Sequence, residues 1–334
     1  MAKTRTIIVG TGGMARHHLQ SMLQQTRTTE IVGLVEISEE SQSATRAFFM
    51  EQGVACPPFF SSIKKLVKAQ GTPDAAFIVT PHKYHFKQAR YCLRQGIDVL
   101  LEKPMVLNAK EAKNLIKIRD ESGCLLVVAF PGSLSPAVQK AKTLLKEGKI
   151  GNITAVSAHV HQNWKPFTIN TWRQDPEISG GGFLFDTGSH MINTVVDLID
   201  EDVSEVSAIL SNSGTPVEIN SSVSGRFKNG VIFSLSGAGD SIHCTSQISI
   251  FGDKGVLQTG IWGEKLTFIN ERHPFNSAYK KITYPKSLGV WQQFLKVRAG
   301  KIPNPCPPEV GLRFAKLMDM IRKSAENGKT IRAR

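Results

Sequence analysis

The sequence predicts an α/β chain in which a doubly wound parallel sheet is followed by a second α+β domain on a large, mostly antiparallel open sheet. Three observations carry this reading. Over the first 130 residues, short apolar runs alternate with helix-like stretches, the grammar of strands joined by crossover helices. A glycine turn, Gly10–Gly13, lies between the first apolar run and the first helical one. After Pro131-Gly132 the grammar changes, and long strand-like segments follow one another with few helices between them. The expected domains are therefore 1–131 and 132–334.

Arg5–Val9 reads as the first strand and Met14–Gln25 as the first helix. Glu30–Glu36 is the second strand, and Ser38 is placed to cap the helix that runs to about Gln52. Phe59–Phe60 marks a short third strand and Ser62–Gln70 a short helix. Ala75–Thr80 (AAFIVT) is apolar enough for a strand covered on both faces. Lys83–Gln95 is helical up to Gly96, and Asp98–Leu101 is the fifth strand. Asn108 and Glu111 have capping-box spacing for a helix that Gly123 ends, before a buried strand at Cys124–Phe130. In the second part, Pro136–Glu147 and Gly182–Leu198 read as helices. Strands are expected at Ile153–Gln162, Val203–Asn212, Glu218–Phe227, Val231–Ser236, Gln247–Phe251, Gly255–Gly260, Lys265–Ile269 and Lys280–Tyr284. Helices near Gly289–Ala299 and Pro308–Asn327 close the chain. One face of the second sheet is expected to stay open and apolar, and to pair in a homodimer or homotetramer.

Composition narrows the function. Of 334 residues, 41% are hydrophobic and 21% charged, an ordinary globular mix. No apolar run reaches the roughly 18 residues of a membrane span, and the first residues do not read as a signal peptide. A cytoplasmic protein is expected, with no membrane partner. The five cysteines show no C-x-x-C spacing, which speaks against a disulfide framework or a zinc site; no metal is expected. The net charge of +13 is spread through both parts, apart from a basic run at Lys265–Lys301 whose only acid is Glu271. Without a sharp basic stripe or a nucleic-acid module, the charge favours anionic small molecules over nucleic acid.

The chemistry concentrates in four places. Gly10-Thr11-Gly12-Gly13-Met14-Ala15 is a G-x-G-x-x-A turn between strand and helix, where glycines let a pyrophosphate approach a helix N-terminus. Glu36, at the end of the second strand, can accept the adenosine ribose hydroxyls and would repel a 2′-phosphate, so NAD is expected over NADP. Thr80-Pro81-His82-Lys83-Tyr84-His85 and Glu102-Lys103-Pro104 follow the fourth and fifth strands, at the carboxyl edge where such sheets bind ligands. Lys103 is suited to a substrate oxygen, and Pro104 invites a cis peptide before it. Farther on, Trp172-Arg173 precedes Gly180-Gly181-Gly182 and a segment in which Asp186 and His190 stand four apart, on one face of a helix. There the carboxylate can orient the imidazole for proton transfer.

Taken together, these motifs resemble the Gfo/Idh/MocA family of NAD(P)-dependent oxidoreductases, over nearly the whole chain. The resemblance implies a Rossmann domain holding NAD through Gly10, Thr11, Gly12, Gly13, Met14, Ala15, Glu36, Thr80, Pro81, His82, His85, Glu102 and Lys103. It implies catalysis by Lys103, Asp186 and His190 on a sugar, polyol or similar hydroxylated substrate. Candidate substrate contacts are Lys103, His161, Trp164, Trp172, Arg173, Asp186 and His190. Two positions depart from the family pattern: His82 stands where Asn is usual, and Asn193 where Asp is frequent. Two alternatives stay open at this point. One is an enzyme whose tightly bound NAD recycles within a non-redox net reaction; the other is a silent nucleotide-sensing protein.

Overall fold

A computed structural model describes residues 2–270 and 278–333; Glu271 of the basic run lies outside them. The chain forms two compact units. The first comprises Met1–Val106, Lys110–Ala129 and Leu288–Pro308, and the second Leu107–Ala109, Phe130–Ser287 and Glu309–Arg334.

The first unit is a six-stranded parallel sheet. Its strands are β1 (Thr4–Val9), β2 (Thr29–Val35), β3 (Phe59–Phe60), β4 (Ala75–Ile78), β5 (Asp98–Leu101) and β6 (Leu126–Val128). They lie in the order β3-β2-β1-β4-β5-β6, so the direction of winding reverses beside β1, where doubly wound sheets bind nucleotides. The connecting helices are α1 (Gly13–Met22), α2 (Glu39–Glu51), α3 (Ile63–Gln70), α4 (His82–Arg94) and α5 (Ala109–Ser122). Every residue of β4 is buried, as expected of a strand covered on both faces. Ser38 and Ser62 cap α2 and α3 through bonds from Ser41 and Lys65 N–H groups, each at 3.2 Å. β6 is shorter than its apolar run because the chain turns into a helix at Pro131. The C-terminal segment that returns to this unit brings Trp291, which is 1% exposed, stacks on Phe77 and bonds Thr29 Oγ1 at 2.8 Å. Truncating a tryptophan so buried costs about 3–5 kcal/mol.

Among the described residues, the second unit is built on nine strands: β7 (Ile153–Asn163), β8 (Val203–Ser211), β9 (Asn220–Phe227), β10 (Ile232–Ala238), β11 (Asp240–Gly252), β12 (Gly255–Thr259), β13 (Leu266–Ile269), β14 (Lys280–Lys281) and β15 (Ile331–Arg332). Their order is β14-β13-β12-β11-β7-β10-β9-β8-β15, antiparallel except for β7 with β10. Its helices are α6 (Pro131–Leu134), α7 (Pro136–Lys146), α8 (Trp164–Phe167), α9 (Pro176–Ser179), α10 (Phe183–Asp186), α11 (Gly188–Ile199) and α13 (Pro308–Asn327); α12 (Val290–Arg298) belongs to the first unit. The nearly all-buried helix α11 packs on one face of the sheet.

The other face differs from the apolar one expected. A row in register runs Thr267, Gln258, Ser249, Ser157, Ser234, Ser224, Ser207 across seven strands. Inward positions such as Val156, Val160, Val223 and Leu235 are apolar and buried, and the alternate positions are mostly polar, serines foremost among them. Ile209 and Ile232 are the large exposed aliphatics of β8 and β10. No helix among the described residues is long and apolar enough to cross a membrane.

Candidate active site

In the first unit, the glycine turn follows from sterics. Gly10 has φ +85°, and a Cβ there would sit 2.6 Å from the Val79 carbonyl oxygen, so only glycine brings the turn against the end of β4. At Gly12 and Gly13 an added Cβ would meet nothing within 4 Å. Gly12 caps α1 without a side-chain bond, no acidic residue lies in the first turn, and buried Ala15 lets the helix pack close. Met14 is exposed beside them. This opening suits a pyrophosphate, drawn by N–H groups and the helix dipole.

Glu36 is fixed next to the turn. Its Oε2 accepts the Thr11 N–H at 2.8 Å and the Thr11 hydroxyl at 3.3 Å. Its Oε1 accepts the N–H groups of Ile37 and Ser38 at 2.8 and 2.9 Å. The carboxylate is thereby held beside the glycine turn.

Beyond β4, the Thr80 hydroxyl donates to Gln88 Oε1 at 2.6 Å. Pro81 caps α4, which starts at His82, and both His82 and His85 are buried. The His85 ring nitrogens lie 2.8 Å from the Thr80 carbonyl and 2.9 Å from that of Pro104. His85 thus ties the loop after β4 to the loop after β5. Burial lowers its pKa, against the raising effect of those two carbonyls. The Lys103–Pro104 peptide is cis. Glu102 Oε1 lies 2.6 Å from His18 Nε2 on α1, and its Oε2 accepts the Lys103 N–H at 3.0 Å. Burial alone would push the Glu102 carboxyl up; the His18 bond and charge, with Lys103, outweigh this and bring it below its ordinary value.

The second unit holds the remaining group. Asp186 is 6% exposed, and its Oδ2 accepts the Trp164 indole N–H at 2.8 Å and Arg173 Nε at 3.1 Å. Arg173 also lies over the Trp172 ring, 4.6 Å from its centroid. Trp164, Trp172, Arg173 and Asp186 therefore form one cluster. The expected single helix is interrupted at Thr187 between α10 and α11. The Ser189 hydroxyl takes the Asp186 carbonyl at 2.6 Å, and His190 N–H goes instead to the Thr187 carbonyl at 3.1 Å, a tighter turn. The His190 ring, half-buried, meets Phe130 edge-on and Trp262 at a tilt, each with centroids 6.0 Å apart.

His161 lies on the opposite pleat, on the open sheet face, where its ring pairs with that of His159 at 5.2 Å. Its neighbour Gln162 points the other way, and its Oε1 accepts the Thr187 hydroxyl at 2.9 Å. A one-residue step along a strand reverses the face. Asn193 is fully buried and donates to Ser133 Oγ at 2.9 Å, so this departure from the family pattern is absorbed in packing.

Four residues were not legible as site residues in the sequence. Glu218 binds the N–H groups of Gly182 and Phe185, and Arg322 binds the carbonyls of Leu107 and Gly180. His18 steadies Glu102, and Trp262 stands beside His190. All four come from elements distant in sequence from the groups they touch, and no spacing rule links them.

Residues 4–130 match the profile of an oxidoreductase family with an NAD-binding Rossmann fold, GFO/IDH/MocA, and residues 138–258 match a C-terminal domain of the same family. The chain belongs to the GFO/IDH/MocA family. It is an NAD(P)-dependent oxidoreductase, and its glycine turn and Glu36 fit NAD. Among relatives, it is 27% identical to an oxidoreductase of Formosa agariphila, over 94% of this chain and 96% of that one. It is 28% identical to the NADP-dependent D-xylose 1-dehydrogenase of Haloarcula marismortui, over 55% of this chain and 53% of that protein. The fold is similar to that of the WlbA dehydrogenase from Bordetella pertussis, solved with NADH and UDP-GlcNAcA (TM-score 0.81, 23% identity, 100% and 99% covered). It is likewise similar to levoglucosan dehydrogenase in complex with NADH (TM-score 0.85, 19% identity, 100% of each chain covered). Family members thus share the architecture while their named substrates differ.

Proposed function

We propose that this family member oxidises a secondary hydroxyl of a sugar or polyol, with NAD as its cofactor. The observation that carries the reading is the buried Asp186, fixed by Trp164 and Arg173 four residues before a half-exposed histidine. A partly exposed imidazole on a segment anchored in this way is suited to proton transfer. Relatives named for D-xylose, levoglucosan and scyllo-inositol support the substrate class.

In this reading His190 takes the hydroxyl proton. Lys103, whose backbone is tied by Glu102, donates to the substrate oxygen and stabilises the alkoxide that develops there. Asp186 holds the segment that carries His190 and draws Arg173 to the same place, where the guanidinium and Trp172 bind further hydroxyls. When bound, NAD supplies the two-electron acceptor. Gly10–Ala15 and Glu36 bind its pyrophosphate and ribose, with Thr80, Pro81, His82, His85 and Glu102 shaping the remainder of that surface. Residues 1–131, with the returning segment Leu288–Pro308, serve the cofactor, and the rest of residues 132–334 serve the substrate and assembly. The open, largely polar sheet face, with Ile209 and Ile232 exposed on it, pairs with a second copy in a homodimer or homotetramer. The protein works in the cytoplasm.

The test is a screen of sugars and polyols by NADH absorbance, with and without added NAD. NADH formed in proportion to a sugar or polyol supports the assignment. Conversion of substrate without net NADH assigns a recycling enzyme instead, and no conversion of any candidate overturns the substrate class.

A further inference from the structure

Trp262 has no part in the reaction described above, yet much of the local structure serves to fix its loop. The loop follows β12. The Ile261 carbonyl accepts the Thr194 hydroxyl at 3.0 Å, and the Gly263 carbonyl accepts the Ser135 hydroxyl at 2.8 Å. The Trp262 N–H goes to Glu264 Oε2 at 3.2 Å. Glycines allow this close fit: a Cβ on Gly132 would lie 2.7 Å from the Ile261 oxygen, and one on Gly263, at φ +71°, 2.3 Å from the Ser135 side chain. The loop is therefore rigid, and Ile261, fully buried, is its anchor in the core.

The anchoring leaves the indole of Trp262 partly open to solvent, tilted at 56° to the imidazole of His190. A second aromatic neighbour of that imidazole, Phe130, is 1% exposed and forms an inner wall. Of Phe130 and Trp262, it is Trp262 that keeps surface to offer a ligand. A core tryptophan would be buried, and a surface one would not be pinned on both sides.

An indole face carries negative π density and attracts the weakly positive C–H hydrogens of a neighbouring group. A pyranose or cyclitol ring has such a C–H face, rigid and flat, with its hydroxyls directed outward. An open-chain polyol has none that persists. We propose that Trp262 is the stacking platform for the ring of a cyclic sugar or cyclitol, which it holds with one ring hydroxyl at His190. The proposal rests on the reading of His190 given above and adds to it the residue that recognises the ring.

The experiment compares the parent protein with Trp262→Ala, Trp262→Leu and Trp262→Phe, each checked for the parent's melting temperature. D-xylose, levoglucosan, myo-inositol and the open-chain xylitol are titrated onto the NADH-bound protein by saturation-transfer NMR. NADH formation is measured with the same compounds and NAD. Binding of the cyclic probes is expected to weaken about five- to tenfold in the Ala and Leu variants. The Phe variant keeps most of the affinity, and xylitol and NADH bind as in the parent. Trp262→Leu keeps apolar bulk without the π face, so its loss separates stacking from mere filling of space. Cyclic probes that bind all variants alike overturn the proposal, as does a parent that binds none of them or an equal loss for xylitol. The two readings fail differently. Ring binding that depends on Trp262 without NADH formation leaves the platform standing and removes the redox role. NADH formation with KM unchanged in Trp262→Ala does the reverse.

Discussion

Glu218 accepts the Gly182 N–H at 2.6 Å, and its other carboxylate oxygen accepts that of Phe185 at 3.2 Å. A side chain remote in sequence thus caps α10, which carries Asp186. Across the same glycine segment, Arg322 binds the Gly180 carbonyl at 2.7 Å. The contact also dictates the glycine, because a Cβ on Gly182 would lie 2.0 Å from the Glu218 carbonyl oxygen.

Burial raises the Glu218 pKa, partly offset by its backbone bonds and Arg322. A folded value above the unfolded one means that the native state binds the proton more tightly. That contribution to stability is complete below about pH 4.5 and is lost as pH rises through the folded value. Glu218→Gln removes the titration, so its melting temperature should gain on the parent's as pH rises above about 4.5. A difference independent of pH would show that Glu218 does not titrate with folding. Glu218→Ala leaves two N–H groups without their acceptor and should cost about 1.5–3 kcal/mol in denaturant unfolding.

At the cofactor, Glu36→Ala should weaken NAD binding by roughly tenfold or more, since bonds to a charged group are worth about 1.5–3 kcal/mol. It should also narrow the gap to NADP, because a carboxylate beside a 2′-phosphate is a like-charge contact. Calorimetric titration of both cofactors decides this; tighter NADP than NAD binding by the parent would refute the role of Glu36.

For the chemistry, Lys103→Ala and His190→Ala should each lower kcat by roughly 100- to 10,000-fold on the true substrate. NAD affinity should hardly change in the His190 variant. Asp186→Asn keeps an oxygen for Trp164 or Arg173 and should lose less turnover than Asp186→Ala, which abandons both donors. Folded Lys103 or His190 variants with kcat within a fewfold of the parent would place the chemistry on other residues.

Assembly is tested on the hydroxyl ladder. Light scattering should give a dimer or tetramer at micromolar concentration. Ser234→Arg, next to the middle of the ladder, should release monomers by placing like charges face to face. A monomeric parent would count against the sheet-face interface.

Local chemistry made much of the site readable. The order Gly10-x-Gly12-x-x-Ala15, the position of Glu36 at a strand end, and Glu102-Lys103-Pro104 after a buried strand each depend on a few adjacent residues, and the structure retains all three local contexts. The pleat was less readable. His161 and Gln162 are adjacent, and only the sheet register decides that the histidine joins His159 while the glutamine meets Thr187. The expected apolar sheet face failed similarly: Ser157, Ser234, Ser224 and Ser207 are unremarkable in their own strands and become a ladder only when those strands pair in register.

The sequence by itself determined the two kinds of sheet and the glycine turn, and it supplied the groups proposed to move a proton. These follow from strand and helix periodicity and from side-chain chemistry, which are local. Tertiary structure alone decided that Glu218 and Arg322 clamp the glycine segment, that His18 reaches Glu102, that Trp291 returns to the first unit, and that Trp262 stands against His190. Each of these contacts joins residues dozens to hundreds of positions apart, and such contacts are selected by close packing and by the need to satisfy buried polar groups, neither of which leaves a periodic trace in sequence.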